Sequence, residues 1–356
     1  MNRERPHPHS LSMSRAVNRR DVLKAIGLAG SAMALHGPLQ LLYAAGASGD
    51  SLSPQVTDQL SRRPLGTTGV DVSMLALGGS HLGKAGSERE AIRIVHEAID
   101  AGLTFMDNAW EYHEGRSEEW MGRALEGRRR HKAFLMTKVC THGRDKRVAM
   151  QQLEQSLRRL RTDYLDLWQI HEVIYENDPN RHFAPGGAAD ALLEAKQQGK
   201  VRFIGFTGHK DPSIHMKMLS HGFPFDTCQL PLNCFDGTFR SFEDDVLPVL
   251  HRLGIAALGM KTLGGNGEAI KQGVVTAEEC LRYVLSLPIA AIVSGIDSIE
   301  VLRQNLAIAQ RFVPMTAVEM DTLRNRVARY AGDGRFELYK SSRHYDGPIG
   351  RAQRAE

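Results

Sequence analysis

The segment DNAWEYHEGRSEEWMG, Asp107 to Gly122, closes an apolar run (Leu103, Phe105, Met106) on a carboxylate and sets a tyrosine five residues later, at Tyr112. Further on, the apolar run AFLMTKV nears its end on Lys138, and YLDLWQIH ends on His171. Each residue alone has an ordinary explanation: a strand-end Asp accepting N–H bonds, a lysine reaching for water, a packed histidine. Together they complete one piece of chemistry. A phenol, with a pKa of about 10, is mismatched to proton transfer near neutrality. An adjacent ammonium favours the phenolate and lowers that value. The ammonium, partly desolvated, needs a counter-charge, which Asp107 can supply. A neutral imidazole can orient a carbonyl oxygen. Such a set polarises a C=O while hydride arrives, and no side chain delivers hydride, so a nicotinamide is implied.

Four side chains from separate parts of a chain meet only if a regular scaffold gathers them. From Arg63 onward, short apolar runs alternate with amphipathic ones. The short runs are Met74–Gly79, Thr104–Asn108, Ala133–Val139, Tyr164–His171, Val201–Thr207, Thr227–Asn233, Ala256–Thr262 and Ala290–Gly295. Between and after them come Glu88–Ala101, Ser117–Leu125, Arg147–Leu160, Ala188–Gln198, Ser213–Ser220, Asp244–Leu253, Thr276–Leu287 and Ser298–Gln310. Ala91, Ile92, Val95, Ala98 and Ile99 share one helical face. AIDAG and VLHRLG stop on glycine, SEEW and TAEE open on a hydroxyl followed by acids, and TAEE has the spacing of a capping box. Continuous apolar strands alternating with helices predict a parallel sheet covered on both faces. Eight such units predict an α/β chain closed into a (β/α)8 TIM barrel, with catalytic groups at the C-terminal strand ends. The competing open, doubly wound sheet needs a Gly-rich turn opening directly on a helix, and GGSHLGKAG lacks GxGxxG. An N-terminal β-hairpin turning at Thr67-Thr68-Gly69 is expected to plug the barrel floor, Thr316–Tyr330 to form an extra C-terminal helix, and Ser341–Glu356 to be a patternless basic tail.

At this point the chain resembles the aldo-keto reductase family. DNAWEYHEGRSEEWMGRAL is similar to the family's Asp…Tyr signature, FLMTKV to its lysine segment and YLDLWQIH to its histidine segment, with GKVRFIGFTG and QLPLN following in order. The resemblance spans roughly Arg63 to Tyr330. It implies NAD(P)H-dependent carbonyl reduction, with tetrad roles for Asp107, Tyr112, Lys138 and His171. Thr207-Gly208 stands where the family has Ser-Asn to hold the carboxamide, Gln229 matches its nicotinamide-contacting glutamine, and Met260 replaces an aromatic ring that stacks on the nicotinamide. Met260 can equally be barrel core. In the run Lys261–Gly265, a lysine and the open backbone at Gly264 and Gly265, beside Leu263, suit a pyrophosphate. Ser298 brings a helix start, a ready anion site, and Gln304 and Asn305 match adenine contacts. The positions where many members hold the 2′-phosphate fall on Gly295 and Val301, both uncharged. The resemblance therefore implies NADP(H) slightly ahead of NAD(H), and no metal. Trp110 and His81 are candidate substrate walls; His113, His142 and His209 either line the rim or face solvent. The loop 175–187 is long enough to form a lid, and Phe336 and Tyr339 could cover the mouth.

The net charge of +4 is carried by residues 1–47, with six basic and two acidic side chains. The remainder holds 39 of each sign, which gives no electrostatic case for nucleic acid. NRRDVLKAIGLAGSAMAL, with Arg19-Arg20 and an apolar run too short for a bilayer, resembles a twin-arginine export signal, and Ala45-Gly46-Ala47 offers a cleavage site. The alternative is a basic leader with chance arginines; translation can also start at Met13. The expected organisation is an export signal over 1–47, a linker over 48–62, a barrel over 63–330 and a tail over 331–356. Expected partners are a small carbonyl or alcohol and the export machinery, at a periplasmic or otherwise exported location, without a stable membrane span. Cys140, Cys228, Cys234 and Cys280 form no CxxC pair and are expected as buried thiols. Two other functions stay open. One is a non-catalytic nucleotide-sensing partner protein. The other is a metal-dependent barrel hydrolase or isomerase using His81, His171 and His209 at strand exits.

Overall fold

A computed structural model describes residues 60–140 and 145–352. The proposed export signal, most of the linker, and His142 lie outside the described residues. Arg62–Pro64 (β1) and Asp71–Ser73 (β2) form an antiparallel hairpin. Eight parallel strands then close a barrel: Leu75–Gly78 (β3), Phe105–Asp107 (β4), Phe134–Val139 (β5), Leu165–Ile170 (β6), Val201–Thr207 (β7), Thr227–Pro231 (β8), Ala256–Met260 (β9) and Ala291–Gly295 (β10). β10 pairs back onto β3, Ile292 opposite Leu75. The chain is a (β/α)8 barrel. Its outer layer is Glu88–Asp100 (α1), Arg116–Ala124 (α2), Lys146–Leu160 (α3), Ala188–Gln197 (α4), Pro212–Ser220 (α5), Leu247–Leu253 (α6), Ala277–Leu285 (α7) and Ile299–Gln310 (α8), followed by the extra helix Ala317–Ala331 (α9).

Strand alternation sorts the core into two bodies. Met106, Leu135, Trp168, Ile170, Ile204, Phe206, Cys228 and Ile292 face the helices. Ala76, Phe105, Phe134, Met136, Leu167 and Leu258 fill the barrel interior. Leu65 and Val72 of the hairpin, both fully buried, join that inner body, so the hairpin does seal the floor. Two residues further along each strand, the same inward face carries Asp107, Lys138, Gln169, Thr207, Gln229 and Met260, so apolar layers below give way to polar groups above.

Thr276 and Glu279 make a reciprocal capping box on α7, and Gly102 and Gly254 take left-handed φ values of 85° and 70° after α1 and α6. Three readings change. Ser117 does not cap α2; it is buried one residue inside, and its hydroxyl donates to Gly79 O at 2.6 Å, tying α2 to the β3 exit. The run expected as one helix over 244–253 is two pieces, Phe242–Asp245 and α6, with Pro248 in the first turn of the second. The tail is not patternless. Residues 336–352 pack on the barrel mouth, with Tyr339 and Lys340 fully buried. Lys340 Nζ lies 2.7 Å from Asp236 Oδ1 and 2.9 Å from Glu337 Oε1. Among the described residues, no helix is long and apolar enough to cross a membrane.

Candidate active site

β4 ends on Asp107 and β5 carries Lys138 beside it; both are almost fully buried. The ammonium is ion-paired to Asp107 and donates to Asn108 O at 2.7 Å. Burial pulls the Lys138 pKa down, while Asp107 opposes that shift. After Asp107 the chain turns sharply: His113, Glu114 and Gly115 all have positive φ, 52°, 59° and 95°. Left-handed non-glycine residues cost about 1 kcal/mol or more each, and here His113 Nε2 bonds Ser80 O at 2.8 Å to hold the turn. Gly83 makes room for that ring, since a Cβ there would sit 2.2 Å from it. The turn delivers Tyr112, half-buried, with the Lys138 ammonium 5.1 Å from its ring centroid and the His171 ring edge-on at 5.5 Å. Asp107, Lys138, Tyr112 and His171 therefore cluster at the C-terminal strand ends.

The electrostatics depart from expectation in one respect. The Tyr112 pKa is raised well above its ordinary value, first by burial and then by Asp107, Glu111 and Glu172. Sequence reasoning weighed one cation and missed two carboxylates. Glu111 Oε1 lies 2.7 Å from His171 Nδ1, and the Cys140 thiol donates to Glu111 Oε2 at 3.2 Å. Glu172, held at φ 50°, is buried beside them and accepts from Gly347 N at 2.8 Å. Burial, with Glu111 adding to it, raises the Glu172 pKa, while His171 opposes. Adjacency to Tyr112 and His171 in sequence was the available signal for both acids.

Around the rim, Thr207 and Gln229 pair across β7 and β8, and Met260 ends β9, with Thr207 Oγ1 3.9 Å from its sulfur. Gln229 Oε1 is buried without a hydrogen-bond donor, so it fits a carboxamide N–H. Met260 is partly exposed at the rim rather than closed into the core. Ser298 caps α8, accepting from Val301 N at 3.3 Å.

Other candidates are placed differently. Gly264 and Gly265 are not open: a Cβ would meet Phe336 O at 2.7 Å and the Tyr339 ring at 3.2 Å. Lys261, at φ 55°, points its ammonium at the Tyr339 and Tyr345 rings, 5.2 and 5.8 Å from their centroids. The tail therefore roofs this loop. Leu263 packs on the outer core. Gln304 is exposed, and Asn305 is buried with its amide donating to Ser294 Oγ at 3.0 Å, turned toward the barrel rather than outward. Arg303 is drawn out to Glu97 at 2.5 Å. His81 packs against Gly295 at the β10 exit, where a Cβ would lie 2.5 Å from its Nδ1. Trp110 is turned to the outer helices, donating to Gln155 Oε1 at 2.7 Å with Arg159 over its ring. His209 is buried 3.7 Å from Asp346 and its pKa is pushed down by burial to about 3. Of the three histidines expected for a metal hydrolase, only His171 belongs to a metal-capable group among the described residues.

Residues 74–269 match the model of the Aldo/keto reductase family. The chain belongs to the aldo/keto reductase family. It is 27% identical over 294 residues to an uncharacterized oxidoreductase, YqkF, of Bacillus subtilis, covering 70% of this chain and 91% of that protein. It is 28% identical to L-galactose dehydrogenase of Arabidopsis thaliana over 216 residues, 58% of this chain and 66% of that one. Among solved structures, the holo form of aldo-keto reductase AKR11C1 from Bacillus halodurans superposes with a TM-score of 0.64 at 24% identity, covering 75% and 96% of the two chains, a likeness of fold. The thermostable aldo-keto reductase Tm1743, in complex with the inhibitor epalrestat, gives 0.61 at 25% identity, covering 75% and 100%. Members of this oxidoreductase family use nicotinamide cofactors and no metal.

Proposed function

We propose that this aldo/keto reductase interconverts a small carbonyl compound and its alcohol, with Tyr112 as the proton donor to the carbonyl oxygen. The observation carrying this reading is the buried Lys138–Asp107 pair set 5.1 Å from the Tyr112 ring, with the His171 ring 5.5 Å away on that phenol. Bound nicotinamide supplies the hydride. Tyr112 gives its phenolic proton to the oxygen as charge develops there. Lys138, pinned by Asp107 and Asn108 O, stabilises the phenolate left behind. His171 orients the oxygen, and Gln229 and Thr207 hold the carboxamide.

Family habit favours NADP(H), but the residues at the β10 exit weaken that preference. Gly295 and Val301 bear no charge, and Arg303 is engaged by Glu97. A charge-assisted hydrogen bond is worth about 1.5–3 kcal/mol, roughly tenfold or more in affinity. Without one, titration of the chain with NADH and NADPH should give dissociation constants within about tenfold of each other. A panel of aldehydes, ketones and sugars should then oxidise the bound nucleotide. Tight nucleotide binding with no carbonyl-dependent oxidation would instead support a nucleotide-sensing protein. The Arg19-Arg20 leader extends the reading to folded export with nucleotide aboard, checked by extracting nucleotide from the periplasmic protein.

A further inference from the structure

We propose that Glu111, His171 and Glu172 form a binding site for one divalent transition-metal ion of the zinc class, which shares His171 with the carbonyl site although the carbonyl chemistry itself needs no metal. One ligand atom from each lies within 4.8 Å of the other two. All three side chains are shielded from solvent, His171 and Glu111 being 8% and 5% exposed. One imidazole nitrogen and two carboxylate oxygens suit Zn²⁺, whose non-structural sites commonly use three protein ligands and leave a fourth position open.

A second observation points into the same space. His171 Nδ1 is buried and makes no aligned hydrogen bond, although Glu111 Oε1 approaches to 2.7 Å. The nitrogen therefore meets Glu111 at ion-pair distance while its hydrogen-bonding direction stays unused. The spread of 4.8 Å exceeds the edge of a tetrahedron built on bonds of about 2.0–2.2 Å, so one glutamate must swing inward by roughly an ångström. Two buried carboxylates at this separation repel, and a cation between them repays their desolvation. Lys138 is ion-paired to Asp107, whereas Lys261, beside the tail rings, already acts on Glu172, so a bound ion must compete with that charge.

The site is roofed by the tail. Gly347 N donates to Glu172 Oε2 at 2.8 Å, and a Cβ at Gly347 would sit 2.6 Å from Glu172 Oε2 and 2.9 Å from Glu111 Oε2. An ion held on Nδ1 leaves Nε2 as the nitrogen of His171 available to a substrate oxygen, so occupancy fixes the tautomer. Divalent-ion level and tail position thereby bear on the carbonyl site.

The test uses the full chain, stripped with chelator and without added nucleotide. Titration with Zn²⁺ by calorimetry, and with Co²⁺ by visible absorption, should show one equivalent bound. E111Q and E172Q should each weaken it at least about tenfold, whereas E97Q, at the exposed Arg303 pair, should not. His171→Ala gives a third reading should a glutamine variant fail to fold. Any ion held by the leader's His7 and His9 survives in every variant. Absence of binding to the wild type, or unchanged affinity in E111Q, E172Q and H171A alike, overturns the site. With no nucleotide or carbonyl present, that result is independent of the reductase reading.

Discussion

Tyr112 sits among more negative than positive charge. Asp107, Glu111 and Glu172 all raise its pKa on top of burial, and Lys138 is spent largely on Asp107. A phenol held protonated is a donor, not a base. Carbonyl reduction needs the neutral phenol, whereas alcohol oxidation needs the phenolate. At saturating nucleotide, the reduction rate should therefore stay level from about pH 7 to beyond the ordinary phenol value of about 10. The reverse oxidation should climb across the same range. A reduction rate that falls away near neutrality would contradict the raised phenol. The four residues that meet here were legible in the sequence because each lies at, or five residues past, a strand end. Glu111 and Glu172 were not, because an acid next to a rim residue reads as solvated until the tail is seen to cover it.

The elements that position this chemistry were also legible, and for a local reason. Apolar runs and capping signals act over a few residues, and eight repeats leave little choice of architecture. Contacts between elements were less visible. Gly205 on β7 illustrates this: Gln169 on β6 reaches across it to donate to Thr227 Oγ1 on β8 at 2.9 Å. A Cβ at 205 would lie 2.1 Å from that oxygen. Gly205→Ala should break this interior bridge and overpack the barrel, costing about 1–3 kcal/mol and lowering the denaturant midpoint. An unchanged midpoint would show that the bridge does not constrain the strands. Trp110 likewise read as a wall from its place beside Tyr112, but Gln155 and Arg159, 45 and 49 residues away, turn it outward.

Across the whole molecule, the C-terminal segment joins parts the barrel leaves separate. Asn233 Nδ2 donates to Glu337 Oε1 at 3.0 Å and to the Tyr339 hydroxyl at 2.8 Å, and Asp346 takes Lys210 at 2.6 Å and the Tyr175 hydroxyl at 2.7 Å. Phe336 and Tyr339 are legible as a cover for the mouth, but no periodicity announces these polar contacts or the packing of the segment from Ser341 onward. On the same scale, Glu243 ties the β8–α6 connection to α7 and α9 through the Tyr283 hydroxyl, at 2.8 Å, and through Arg324. Burial lifts its pKa from 4.5 to about 7, with Arg324 opposing. A carboxyl with a raised folded pKa contributes stability that is fully present below its unfolded value and lost as pH rises through the folded one. Unfolding free energy should therefore decline between about pH 4.5 and 7 through this group, and Glu243→Gln should flatten that part of the profile. The central claim is narrower: the Tyr112 hydroxyl supplies the proton. The direct measurement is carbonyl-dependent nucleotide oxidation by Tyr112→Phe, set against its nucleotide affinity. The account predicts a loss of at least about 100-fold in rate, within the range for removing a general acid, with nucleotide binding nearly unchanged. Equal rates for the two proteins would contradict it.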